Sequence, residues 1–368
     1  MRLTGRGIAV SVAAVLLLAA GLWLRLAVLT TLGAVAAAAV LAAIALTVPQ
    51  LAVEVHRVVH PDRVERGRPA LARLRVRSTG NRRQTGFRAE DAAGGERREV
   101  RLPGLLPGAE VTRTYELPTA TRGKVTVGPL TLHRADPFDL ARRRLPVTAT
   151  ATLWVHPRQH AARALVAGVP RHHHEGMPDA ALRGSVEQLD VREYVPGDEV
   201  RHLHWKATAR TGRLMVRDLA DPRRARTTVL LDNRPGVLTP AFFEEAVDLT
   251  ASLLCASARA TQDTRLVAWT GRDLAVQGGP LATRRLLDEL SEVRQDAARQ
   301  DPALRPGGGL VLVTGGGAAV EAVLARRAEF AAVVVVAVGG WLEVPSGVRV
   351  LRALGAAQAV RQWNDAIG

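Results

Sequence analysis

His172, His173, His174 and Glu175 are the first residues whose types suggest chemistry, because imidazole and carboxylate groups ligate metals. Adjacent side chains do not converge readily on one ion, and the run lies between Pro170 and Pro178. An exposed loop that takes up metal only adventitiously is therefore expected. His202 and His204 stand two apart in a stretch that reads as helix, where they face different directions and make no ligand pair. Cys255, the single cysteine, excludes an intramolecular disulfide framework. It falls in an apolar helical stretch, where a buried thiol is a poor nucleophile. Arg192, Asp198, Arg201 and Arg210 form a charged set suited to partner binding or catalysis, and ion pairing that locks a hinge explains the same residues.

ATP hydrolysis through a P-loop is not expected on spacing. Lys206 precedes alanine and Lys124 precedes valine, so no Gly-Lys-Ser/Thr loop exists. Thr314 to Gly317 follows a strand-like run and opens a helix-like one, where backbone amides can cradle phosphate, but Val320 takes the place of the third glycine of a dinucleotide fingerprint. Neither a Gly-x-Ser-x-Gly elbow nor an HExxH helix is present. The expectation is a chain that is not an enzyme and carries no resident cofactor or metal.

The elements that position these residues fall into four parts of an α+β multi-domain chain. From Ile8 to Val48 the only charge is Arg25, and spans at 8–24 and 26–48 would reach about 26 and 34 Å, bracketing a hydrocarbon core of about 30 Å. A turn at Gly21 to Arg25 is favoured over one at Thr30 to Gly33. A cleaved leader is the competing reading, but the apolar stretch runs on as a second full span, so residues 1–50 are read as a two-helix transmembrane hairpin. Residues 51–157 alternate with period two and are punctuated by Gly80-Asn81, Gly94-Gly95 and Pro107-Gly108, the pattern of a small antiparallel, Ig-like β-sandwich. Ala72, Leu74 and Val76 should point inward, and Arg73, Arg75 and Arg77 outward. Residues 158–226 read as linker and signature segment. In residues 227–368 the apolar runs TTVLLD, TRLVAWT, GLVLVTG and AVVVVAV alternate with amphipathic stretches at 242–259, 281–293 and 318–330, the pattern of a largely parallel, Rossmann-like α/β sheet.

Charge is placed as unevenly as hydropathy. The chain of 368 residues carries +15, and residues 51–150 hold +9, 151–226 hold +4 and 227–368 hold −1. Arg2 and Arg6 precede the hairpin and Arg57, Arg63, Arg66 and Arg68 follow it, so both termini and the extramembrane domains are expected in the cytosol. Anionic lipid near residues 51–226 is the simpler partner for the basic surplus. Nucleic acid is disfavoured because the basic region has few aromatics, mainly Phe87, Tyr115, Phe138 and Trp154. A small-molecule ligand is not expected.

The segment from Gly184 to Asp218 has legible local physics. Pro196-Gly197 suits a type II turn, Asp198 is placed to cap a helix from Glu199 to about Arg210, Gly212 ends it, and Arg201 would stack on Trp205 four residues on. Tyr194, Pro196, Gly197, Asp198, Arg201, Trp205, Ala209 and Arg210 resemble the signature of a bacterial family called domain of unknown function 58. The resemblance extends to Arg122-Gly123, Gly128-Pro129, Asp136-Pro137-Phe138 and the amino-terminal hairpin. It implies a membrane-anchored protein whose carboxyl half is von Willebrand A-like and whose partner is a MoxR-type AAA ATPase.

The resemblance also supplies a test. Von Willebrand A domains often hold Mg²⁺ through an aspartate and two serines at alternate positions after the first strand, and a hard cation requires such oxygen ligands. The corresponding positions here are Asp232, Arg234 and Gly236, and the third strand ends at Thr314 where an aspartate is usual. These four read as a degenerate remnant in which Asp232 is a strand-end residue paired with Arg234. The function expected is a non-enzymatic membrane scaffold or adaptor in cell-envelope or protein-complex assembly. The alternatives are a metal- or nucleotide-dependent hydrolase at the strand ends and an electrostatic lipid-binding module.

Overall fold

Two apolar helices open the computed structural model, which describes residues 2–48, 52–147, 149–165, 190–193, 203–218, 226–297, 302–339 and 348–367. The short strand β1 (Arg2–Leu3) leads into α1 (Gly5–Leu24), whose first turn is capped by the Thr4 hydroxyl accepting from the Gly7 amide. Arg25, in the left-handed region at φ 55°, closes that helix by donating its amide to the Gly21 carbonyl, and α2 (Ala27–Thr47) returns alongside. The turn therefore falls at Arg25 and Leu26, at the last residue of the Gly21 to Arg25 stretch and well before Thr30 to Gly33. Gly7, Ala14 and Gly21, spaced by seven, are the buried residues of α1, and Gly33, Val40, Ala43 and Thr47 those of α2. Small side chains let the two backbones approach closely. A Cβ on Gly21 would lie 2.6 Å from the Thr30 amide nitrogen, and one on Gly33 would lie 2.8 Å from Leu18 Cγ. Most of the remaining apolar surface, including Val15, Leu16, Trp23, Val28 and Leu41, is uncovered, and both helices are long and apolar enough to cross a membrane. Gly21→Val is expected to lower the melting temperature of detergent-solubilised protein, since overpacking costs roughly 1–3 kcal/mol, whereas Val15→Leu on an uncovered face leaves it unchanged.

The hairpin belongs to the first of two compact units, Met1–Val155. The Thr4 amide donates to the Leu140 carbonyl at 2.9 Å, the Thr4 hydroxyl to the Asp139 carbonyl at 2.5 Å, and Arg143 to the Val48 carbonyl. The strands of this unit are β2 (Val53–His60), β3 (Arg63–Glu65), β4 (Leu71–Ser78), β5 (Phe87–Ala93), β6 (Glu96–Leu102), β7 (Glu110–Glu116), β8 (Gly123–Ala135), β9 (Ala141–Val147) and β10 (Ala151–His156). They form a three-stranded sheet, β2-β4-β7, and a seven-stranded sheet, β1-β9-β8-β10-β3 with β5 and β6 attached through β8; every pairing described is antiparallel. Alternation along β4 buries Ala72, Leu74 and Val76 and exposes Arg73, Arg75 and Arg77. Leu74 and Val76 share a core with Phe87, Ala89, Leu130 and Leu132 of the other sheet. The sheets thus pack face to face.

The second unit, His156–Gly368, is built on a six-stranded sheet. Before it come β11 (Asp190–Glu193), α3 (Trp205–Thr211) and β12 (Met215–Asp218), with β11 and β12 paired antiparallel. Then follow β13 (Arg226–Leu231), α4 (Pro240–Arg259), β14 (Asp263–Ala268), β15 (Asp273–Val276), α5 (Pro280–Glu292), β16 (Gly309–Thr314), α6 (Gly317–Leu324), β17 (Ala332–Val338), β18 (Arg349–Ala353) and α7 (Ala356–Ile367). The order is β15-β14-β13-β16-β17-β18, parallel except for β15 at one edge. Val229, Leu231, Val311 and Val313 face a core that includes α4, α5 and α7, while Leu230, Leu310 and Leu312 face a second core with α6. That two-sided burial explains why these strands read as continuous apolar runs.

Two expectations are corrected here. Residues 158–165 are not linker. The Arg158 amide donates to Asp248 at 2.9 Å and the His160 amide to Ser252 at 2.9 Å, while the Arg163 carbonyl accepts from Trp363 Nε1 at 2.9 Å. Asp248 and Ser252, polar residues buried within α4, require such partners, and Leu165 completes the core. The expected helix from Glu199 also begins later, at Trp205. Leu203 forms a β-bridge, and His204 is the cap, its Nδ1 accepting from the Ala207 amide at 3.0 Å. The cap of α3 is thus an imidazole nitrogen; Asp198 and Arg201, and with them the expected Arg201–Trp205 stacking, lie outside the described residues. Gly212, at φ 70°, ends the helix as expected of a left-handed cap.

Candidate functional site at the strand ends

In a parallel sheet the backbone leaves each strand at its carboxyl end, and ligands bind where neighbouring strands send their chains in opposite directions. Here that place lies between β13 and β16. The Asp232 amide donates to the Val313 carbonyl at 2.9 Å, which sets Asp232 and Thr314 side by side, both fully buried. Arg234 Nε donates to Asp232 Oδ1 at 2.9 Å and its Nη2 to Oδ2 at 2.9 Å, a two-pronged ion pair. Thr314 Oγ1 donates to Oδ2 at 2.8 Å. The Arg234 guanidinium lies 4.1 Å from the ring centroid of Trp269, a buried residue, so stacking as well as charge holds it.

The surrounding loop is equally fastened. Asn233 Nδ2 donates to Thr270 Oγ1 and to the Arg294 carbonyl, each at 2.7 Å, and its Oδ1 accepts from the Thr270 amide at 3.1 Å. Gln295 Nε2 donates to the Leu238 carbonyl at 2.8 Å. A Cβ on Gly315 would meet Leu238 Cδ2 at 2.5 Å and the Val237 carbonyl oxygen at 2.7 Å, so the loop after β13 is seated on the loop after β16. Gly236, at φ 79°, supplies the left-handed turn that brings the chain back to α4. The arrangement is an anion neutralised by a cation and a hydroxyl beneath a closed loop. A hard cation would have to displace Arg234 to gain even one carboxylate.

The structure thus brings Asp232, Arg234 and Thr314 into one hydrogen-bonded group, with Gly236 in the turn above. Of the signature residues, Arg192 lies on β11 opposite Val216, Trp205 opens α3 and is exposed, and Arg210 occupies the last turn of α3. Tyr194, Pro196, Gly197, Asp198, Arg201, His202 and the run His172–His174 with Glu175 lie outside the described residues. Among the described residues no group of three or more His, Cys, Asp and Glu side chains is placed to hold a metal ion. Cys255 is fully buried in α4, and burial pushes its thiol up to about 12. Sequence reasoning missed Trp269, Asn233 and Thr270; the only signal was that the apolar run of β14 ends in Trp-Thr.

A family model described as "Protein of unknown function DUF58" matches residues 190–360, which include β11 to β18 and the strand-end group. The chain is also similar to the uncharacterized protein YeaD of Bacillus subtilis (strain 168), 28% identical over 154 residues that cover 39% of this chain and 35% of that protein. The match spans about a third of that relative's length. Among solved structures, the CARDB domain of a Pyrococcus furiosus protein is 15% identical with a TM-score of 0.22, covering 29% of this chain and 96% of that one. The alkylpurine DNA glycosylase AlkC of Pseudomonas fluorescens is 18% identical with a TM-score of 0.21, covering 34% and 38%. Scores this low carry no argument about fold or function.

Proposed function

We propose that this chain is a membrane-anchored docking protein, non-enzymatic, whose carboxyl unit is von Willebrand A-like and presents its strand-end face to a protein partner. The observation that carries the reading is the engagement of Asp232: Arg234 and Thr314 occupy both of its carboxylate oxygens. The residue best placed for metal or acid–base chemistry is thereby committed to structure. The sheet order, with β13, the first strand of the six-stranded sheet, central and one antiparallel edge, supports the von Willebrand A-like reading. Two apolar helices and the basic residues Arg2, Arg6 and Arg57 at their base support a bilayer anchor with both termini on the cytosolic side. The partner proposed is a MoxR-type AAA ATPase, in cell-envelope or protein-complex assembly, a choice that rests on what the resemblance of the signature segment implies.

Two measurements test this. Full-length protein in detergent is melted with EDTA, Mg²⁺ and nucleotides. A bound ligand at a hundred times its dissociation constant would add about 2.7 kcal/mol, and no shift is expected. A Mg²⁺ or nucleotide shift would favour a hydrolase at the strand ends instead. The MoxR-type ATPase of the same genome is expected to co-purify with the chain or to change its turnover on addition. Failure of both, with the fold intact, removes the adaptor role.

A further inference from the structure

A cleft of about 450 Å³ opens beside the start of α1, lined by Arg2, Leu3, Thr4, Arg142 and Arg144. Its charge follows from strand register. β1 pairs with β9 so that Arg2 stands directly opposite Arg142, and Arg144 lies two residues along β9, on the same face as Arg142. Like charges placed opposite each other across strands are destabilising. Arg142 is balanced by Asp139, with Nε–Oδ1 at 2.6 Å and Nη2–Oδ2 at 2.7 Å. Among the described residues neither Arg2 nor Arg144 has a carboxylate partner, and both are exposed. Two unneutralised guanidiniums and a third held by Asp139 therefore share one concavity that lacks an anion of its own.

The position identifies the anion. Thr4, which lines the cleft, is also the cap of α1, and the Asp136–Leu140 turn that receives its hydrogen bonds exposes Phe138, 72% accessible, beside the end of the apolar helix. An exposed aromatic ring and a group of arginines at the end of a membrane-length helix match the composition of a bilayer's headgroup layer. We propose that this cleft binds the phosphate of an anionic phospholipid headgroup, with Arg2 and Arg144 as its principal ligands. The assignment rests on the reading that α1 and α2 span a bilayer.

Full-length protein in non-ionic detergent is titrated with phosphatidylglycerol or phosphatidylcholine, and bound lipid is counted by native mass spectrometry. Phosphatidylglycerol is expected to be retained in preference to phosphatidylcholine. Combining Arg2→Gln with Arg144→Gln should weaken phosphatidylglycerol about 25-fold, from about fivefold per basic residue near an anionic surface, without altering phosphatidylcholine. A control with the same loss of charge at the exposed strand positions Arg101→Gln and Arg113→Gln should behave as the native chain. Equal weakening in the control, or no weakening in the cleft variant, overturns the site. Equal retention of the two lipids, with inorganic phosphate alone stabilising lipid-free protein through Arg2 and Arg144, overturns the lipid assignment in favour of free phosphate. Alkaline carbonate extraction of the same proteins reads insertion separately. A chain released by carbonate refutes the bilayer-spanning reading, whereas an inserted chain without lipid preference refutes the cleft alone.

Discussion

Replacing Asp91 with alanine is expected to cost the amino-terminal unit about 3–5 kcal/mol, the range for a buried ion pair broken from one side. Arg57 Nη1 donates to Asp91 Oδ1 at 2.7 Å, and their side chains are only 4% and 1% exposed. The Tyr115 hydroxyl donates to the other carboxylate oxygen, and Arg57 Nη2 reaches the Val127 carbonyl at 2.8 Å and that of Ala149. Removing the carboxylate leaves a guanidinium charge between the two sheets, with a nitrogen, Nε, that already lacks a partner. Against a typical domain stability of about 5–15 kcal/mol, that loss takes much of the total. Asp91→Asn keeps an acceptor for Arg57 and should cost less. Hydrogen exchange read by mass spectrometry checks this unit by unit: protection should fall across β2 to β10 and persist in β13 to β18.

The same group predicts an alkaline limit. Burial first, and then the hydrogen bond to Asp91, raise the Tyr115 hydroxyl well above its ordinary value of 10.0. The folded state therefore holds that proton after the unfolded chain has lost it. The stability Tyr115 contributes is complete below pH 10 and is lost as pH rises beyond it. Because burial is the larger cause, Asp91→Asn should shrink this dependence without abolishing it.

The elements legible in the sequence are those whose burial is uniform along their length. The hairpin, β4 with its inward Ala72, Leu74 and Val76, and the apolar strands β13, β14, β16 and β17 all announce themselves by period or by continuous apolarity. β5 and β9 do not. β5 runs Phe-Arg-Ala-Glu-Asp-Ala-Ala, and its buried positions are Phe87, Ala89, Asp91 and Ala93. β9 opens Ala-Arg-Arg-Arg and is held by β8 and β1 instead of by apolar side chains. Segment 158–165 read as linker because its anchors are backbone amides, which any residue supplies. In the strand-end group, Asp232 and Arg234 are visible because they are two apart. Thr314 is placed beside them by the von Willebrand A resemblance, Trp269 joins only through strand order, and Arg57, Asp91 and Tyr115 meet only through sheet pairing.

Arg234→Ala should destabilise the carboxyl unit by about 3 kcal/mol, the lower end for breaking a buried pair, because the guanidinium is itself 23% exposed while Asp232 is fully buried. What remains is a carboxylate with a single side-chain donor, Thr314 Oγ1, and a Trp269 ring that has lost its cation. Adding Asp232→Asn removes the stranded charge, so the double variant should be more stable than Arg234→Ala alone. The coupling energy from the double-mutant cycle measures the pair directly. The same variants separate a structural from a chemical role. If the pair only closes the loop after β13, the double variant retains partner capture and adds no magnesium dependence to its melting curve. If Arg234→Ala gains a magnesium-dependent rise in melting temperature that Asp232→Asn abolishes, the arginine is a built-in counter-ion on a site that still recognises metal. If the native chain shows that rise, the docking proposal fails, because Asp232 then exchanges Arg234 for a cation without mutation.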